Sequence, residues 1–85
     1  MSRYRIQYSG EAEKVYRGMD PQFRSRFDAE MAKTLARDPY GHGSTPATPG
    51  EEPTRRLATI AGAIVRYYIS GPPLLIVTAV QIVHI

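Results

Sequence analysis

Polar and apolar residues alternate singly over Arg3–Tyr8, where Tyr4, Ile6 and Tyr8 interleave with Arg3, Arg5 and Gln7. A period of two predicts a strand with one covered face. From Gly10 the period lengthens: Ala12, Val15, Tyr16 and Met19 fall at i, i+3, i+4 and i+7, predicting a short amphipathic helix from about Gly10 to Gly18. Ser9 or Gly10 offers its N-cap, and Glu11 and Glu13 complement the helix dipole in the first turn. Asp20-Pro21 is a second start signal, an N-cap candidate followed by proline at the first helical position. Phe23, Phe27, Met31 and Leu35 then recur every four residues with Ala32 and Ala36 beside them, the buried stripe of a longer helix. Pro39 biases Asp38 away from helical angles, so this helix is expected to end near Arg37. Arg24/Asp28 and Arg26/Glu30, spaced i, i+4 on the exposed side, predict weak surface pairs.

The stretch Pro39–Pro53 holds four prolines and three glycines without hydrophobic periodicity and reads as a long loop. Beyond it the chain turns rich in Val, Ile, Tyr and Thr on both sides of Gly71-Pro72-Pro73, which predicts a hairpin with those three residues in the turn. Ala61-Gly62 is expected to bend or turn the chain between Arg55–Ile60 and Ala63–Ser70. In Leu74–Ile85 both alternating sets are apolar, Leu74/Ile76/Val80/Ile82 and Leu75/Val77/Ala79/Val83, so the strand is expected to be central and covered by neighbours or helices. The order β-α-α-β-β-β gives an α+β fold: a two-helix hairpin packed on one face of a small, mainly antiparallel four-stranded sheet.

Length and charge add to this picture. At 85 residues the chain reads as one domain, residues 1–85, near the size at which a single core is only just sufficient, so a partner chain that contributes buried surface is expected. The absence of cysteine excludes disulfides and thiolate metal sites and fits a cytoplasmic protein. Met1-Ser2-Arg3-Tyr4-Arg5 leads into no signal-peptide core, and Leu74–Ile85 is far below the ~20 apolar residues of a membrane span, so no membrane partner is expected. Eight Lys/Arg balance eight Asp/Glu up to Pro53, whereas Thr54 onward carries three arginines and no acid. A phosphate-bearing or acidic partner is therefore expected at the β half, unless these arginines are merely solvated. His42, between Gly41 and Gly43, reads as a solvated loop histidine.

Several phrases, in order, carry a resemblance: Tyr4-Arg5-Ile6-Gln7-Tyr8-Ser9, Ala12-Glu13-Lys14, Asp20-Pro21, Asp38-Pro39-Tyr40-Gly41-His42-Gly43-Ser44, Arg55-Arg56-Leu57 and Ile82-Val83-His84. Together they resemble the RelE/ParE superfamily of toxins from bacterial type II toxin–antitoxin systems, over nearly the whole chain. The resemblance implies a RelE-like fold and a cognate antitoxin as partner. In the ribonuclease branch it further implies mRNA cleavage on the ribosome, without metal or other cofactor. Such cleavage needs a base for the ribose 2′-hydroxyl, cations for the phosphorane and an acid for the leaving 5′-oxygen.

By the same resemblance the catalytic candidates are Arg56, Arg66 and His84, and the RNA-binding candidates are Arg55, Arg56 and Tyr67. The carry-over is incomplete. Of the family's Gly-x-Tyr-Arg-x-x-Tyr phrase, Gly62 and Tyr67 or Tyr68 remain. The expected arginine falls on Ile64 or Val65, Arg66 stands one or two places late, and Ile85 replaces the arginine that follows the family histidine. Tyr67 and Tyr68 must face opposite sides of a strand, one in the core and the other available to stack on a base. Two functions follow: an mRNA-cleaving endoribonuclease toxin, or a non-catalytic relative that acts by protein contact, either on DNA gyrase as a ParE-type toxin or on an antitoxin alone.

Overall fold

A computed structural model describes residues 3–47 and 54–84. The elements are β1 (Arg5–Tyr8), α1 (Gly10–Arg17), α2 (Pro21–Lys33), β2 (Thr45–Pro46), β3 (Arg55–Ile60), β4 (Ala63–Ser70) and β5 (Ile76–His84). They form one sheet in the order β1-β5-β4-β3-β2, with the helices on one face. The α+β class and the helix pair agree with the sequence pattern. The sheet differs in two respects, having five strands rather than four and one parallel pair, β1 with β5. The additional strand is the two-residue β2, inside the loop expected to be irregular, where Thr45 and Pro46 pair with Leu57 and Arg56. A proline is tolerated there because β2 is an edge.

Ser9 caps α1: its backbone is extended and its Oγ accepts from the Ala12 N–H at 3.3 Å. Asp20 caps α2 by accepting from the Gln22 N–H at 3.1 Å, with Pro21 at the first helical position. Helix α2 stops at Lys33, short of Arg37. Thr34 turns its hydroxyl back to the Glu30 carbonyl at 2.6 Å, and its N–H uses the same acceptor. The next residues form turns that still bury Leu35 and Ala36 and bring the Ala36 carbonyl to the Tyr4 N–H, 2.7 Å away. The expected surface pairs do not form. Asp28 instead accepts from the Tyr16 hydroxyl at 2.8 and 2.9 Å, while Arg24 lies over the Tyr16 ring and Arg26 over that of Phe23. Arg17–Glu13, at 2.9 Å, is the ion pair found among the described residues.

Phe27, Met31 and Leu35 from the helical side meet Val65, Tyr67 and Val77 from the sheet, all within the buried core. Each such side chain contributes about 1.5–3 kcal/mol by leaving water. Ala12, with no exposure, lets α1 approach β5 closely. Ala61 and Gly62 join β3 to β4 with φ of 51° and 86°, the two positive values of a tight hairpin turn that matches strand twist. The β4–β5 hairpin is longer than expected at its turn: Leu74 and Leu75 bond back to the Gly71 carbonyl, Leu75 sits at φ 52°, and the strand starts only at Ile76.

Strand β5 is central, between β1 and β4. Its pairing with β4 slips by one residue, since Arg66 faces Gln81 and Tyr67 faces Ala79, which leaves Val80 as the extra residue of a bulge. The bulge reverses parity. Val77 and Ala79 face the helices before it and Ile82 after it, so each of the two expected apolar sets is divided between the two faces. Among the described residues no helix is long and apolar enough to cross a membrane.

Candidate functional site

The strands themselves decide which arginine faces where. Ala58 and Ile60 of β3 and Ala63, Val65, Tyr67 and Ile69 of β4 are buried under the helices. Cross-strand partners share a face, so Arg56, opposite Tyr67, belongs to the helix side, and Arg55, opposite Tyr68, to the other side. Leu57 and Arg66 form the next pair on that second face, followed by Thr59 and Ile64. Continuing across β5 and β1, Gln81 pairs with Arg66, Thr78 with Tyr68 and Gln7 with Thr78, while Arg5 pairs with Ile76. Among the described residues no helix covers this open face, and none of the five strands contains an Asp or Glu.

On the open face, at the start of β3, the Arg55 guanidinium lies 5.7 Å from the centroid of the Tyr68 ring. Arg66 is exposed on the same face, two residues before Tyr68. A phosphate laid on this sheet therefore meets guanidinium groups from two strands beside an aromatic ring, an arrangement suited to a single-stranded backbone and a stacked base.

Arg56 has a different position. Its Nε donates to Ser44 Oγ at 2.9 Å, and one terminal nitrogen donates to the carbonyls of Ser44 at 3.1 Å and Tyr40 at 3.3 Å. Its guanidinium also stacks 5.6 Å from the centre of the Tyr40 ring. Tyr67, fully buried, donates its hydroxyl to the Pro39 carbonyl. Burial raises the phenol above its ordinary value, while Ser44 and Arg56 pull the other way. Tyr67 is thus corrected as an RNA-stacking candidate: its ring is part of the core, and Tyr68 is the tyrosine of the pair that reaches the open face. Arg56 and Tyr67 together fasten residues 39–44 to the sheet.

The expected site residues therefore separate into two groups. Arg55 and Arg66 come together on the open face; Arg56 and Tyr67 meet behind it, at the loop. His84 closes β5 opposite Ala63, and the role given to its side chain lies outside the described residues. His42 is exposed in the fastened loop at φ 57°. Among the described residues no cluster of His, Asp and Glu is placed to hold a metal ion. Arg5, Gln81 and Tyr68 complete the open face; the sequence showed their residue types but not the register that aligns them.

No protein-family model matches the chain, and no curated protein matches it significantly. Among solved structures, a chain of the toxin–antitoxin complex RelBE2 from Mycobacterium tuberculosis is similar, with a TM-score of 0.73 at 18% sequence identity. The superposition covers 98% of this chain and 99% of that one. The likeness spans nearly the whole of both chains, and the fold is RelE-like.

Proposed function

We propose, from the RelE-like fold, that this protein is the toxin of a type II toxin–antitoxin system and that it cleaves RNA on the open face of its sheet. The observation that carries the reading is the gathering of Arg55, Arg66 and Tyr68 on an uncovered face whose strands contain no carboxylate. An RNA phosphate is held there by charge-assisted hydrogen bonds from Arg66 and Arg55, with a base stacked on Tyr68. Both cations then stabilise the phosphorane that forms when the 2′-oxygen attacks. Proton transfer in this scheme is not assigned to His84, because its cross-strand partner Ala63 lies on the helix-covered face. The activity requires silencing, and the fitting partner is an antitoxin with an acidic amphipathic segment.

A second reading is favoured by one observation. Arg56 and Tyr67, two of the expected RNA contacts, are engaged by the loop instead. With so reduced a set, the open face acts by binding alone, on a protein target such as DNA gyrase or on an antitoxin. Mapping transcript ends after induction separates the two. Ribonuclease action gives new ends within coding regions that vanish in Arg66→Ala and Arg55→Ala, whereas growth arrest with unaltered transcripts establishes the binding protein.

A further inference from the structure

One end of the open face carries a structure that phosphate binding does not use. The Ile69 N–H donates to the Thr54 carbonyl and the Ala47 N–H to that of Arg55, so even-numbered residues of β3 bond to β4 and odd-numbered ones bond outward, toward β2. Strand β2 begins only at Thr45, opposite Leu57. The residue that would face Thr59 is Gly43, but His42 and Gly43 stand at φ 57° and 77° and carry the chain off the ladder. The outward N–H and C=O of Thr59 consequently have no backbone partner among the described residues.

These two groups border a shallow groove of about 220 Å3 lined by Gly43, Thr45, Leu57, Ala58, Thr59 and Ile64. That is roughly seven water volumes at about 30 Å3 each, the scale of one heterocyclic ring system rather than of a peptide segment. Its floor is apolar, from Leu57 and Ile64, and its rim offers a donor and an acceptor side by side at Thr59. Arg66 stands next to it, opposite Leu57 and two residues after Ile64 on the same face.

We infer that this groove is a base-reading subsite, taking one nucleobase of a single-stranded RNA whose adjoining phosphate is held by Arg66. The inference rests on the RNA reading of the open face given above. A nucleobase matches all three features at once: a flat apolar face for the floor, adjacent donor and acceptor on its edge for the Thr59 backbone, and an attached phosphate for the arginine. An acidic peptide would satisfy Arg66 and the Thr59 backbone, but it offers no flat face to the apolar floor and needs more length than the groove provides. The Arg56 fastening acquires a purpose here, since it holds the loop that supplies the Gly43 and Thr45 wall.

The test is equilibrium binding of short fluorescent oligo(A), oligo(C) and oligo(U) to the purified protein, with far-UV circular dichroism confirming that each variant is folded. Best and worst ligands should differ by about fivefold or more, the low end of what one hydrogen-bonded base contact supplies. Ile64→Trp and Thr59→Tyr both fill the groove from exposed positions, and each should reduce that difference to less than about twofold, whereas Arg66→Ala should weaken all three ligands alike. A wild-type difference below about twofold, or ratios unchanged in both groove-filling variants, overturns the subsite while leaving RNA binding intact. Failure to bind any of the three overturns the RNA reading itself, and the subsite with it.

Discussion

The Ser9 hydroxyl joins two distant events of the chain: it accepts from the Ala12 N–H as the cap of α1, and it donates to the carbonyl of Val80, the bulged residue of β5, at 3.2 Å. A bulge takes a residue out of its ladder, and this one lies in the middle of the sheet, where an unbonded carbonyl is costly. The Ser9 N–H adds a bond to Ala79 at 2.8 Å, so the start of the first helix is fastened to the bulge. Ser9→Ala should cost about 1–3 kcal/mol, combining the lost cap with the orphaned carbonyl. Ser9→Asp restores the acceptor but not the donor and should fall between the two, read as urea midpoints at unchanged slope.

Ala61 holds φ 51° in a turn that suits asparagine or glycine. Ala61→Asn should therefore stabilise the protein by about 0.5–1 kcal/mol. Thermal or urea unfolding checks this, and an unchanged or lower midpoint contradicts the assigned turn.

Arg56 and Arg66 should behave oppositely. Removing the Arg56 fork leaves carbonyls of Tyr40 and Ser44 without their donor, so Arg56→Ala should lose about 1–2 kcal/mol. Arg56→Lys should recover little of it, because an ammonium cannot reproduce the planar fork. Chymotrypsin should then cut faster after Tyr40. Arg66 is exposed, and Arg66→Ala should change stability by less than about 0.5 kcal/mol. Equal losses in the two variants would place Arg66, too, in a structural role.

Much of this was legible in the sequence, and the remainder depends on contacts between distant residues. The alternation of Tyr4, Ile6 and Tyr8 correctly gave a strand with one covered face, and both helix starts followed from Ser9 and from Asp20-Pro21. The parallel pairing of β1 with β5 joins opposite ends of the chain and leaves no local signal. The two apolar sets of β5 looked like a strand covered on both faces; their cause is the parity switch at Val80, which only the register with β4 reveals. Arg55 and Arg56 had to face opposite ways, as had Tyr67 and Tyr68, but their pattern alone did not say which of each pair lay under the helices. The Arg24/Asp28 spacing was sound, yet the Tyr16 hydroxyl from the neighbouring helix occupies Asp28.

Three tyrosines make the fold sensitive to alkali. Tyr8, packed on Tyr16 with ring centroids 4.7 Å apart, is raised above its ordinary pKa of 10.0 by burial and then by the nearby Asp28. Tyr16 and Tyr67 are raised as well, in both cases chiefly by burial. A raised folded-state pKa means that the unfolded chain loses its protons first, so this stabilisation is complete below about pH 10 and declines as pH rises above it. Urea midpoints measured upward from pH ~8 should fall beyond pH ~10, and Tyr8→Phe should make the decline shallower. An equally steep decline in Tyr8→Phe would assign the sensitivity to other groups.

The open face that carries Arg66 and Arg55 is proposed as the working surface of a toxin. The decisive measurement is growth after induction of wild type and Arg66→Ala at matched soluble expression. The wild type should arrest growth, and the equally stable Arg66→Ala protein should leave it near normal. Normal growth with the wild type, or the same arrest with Arg66→Ala, would rule out the open face as that surface.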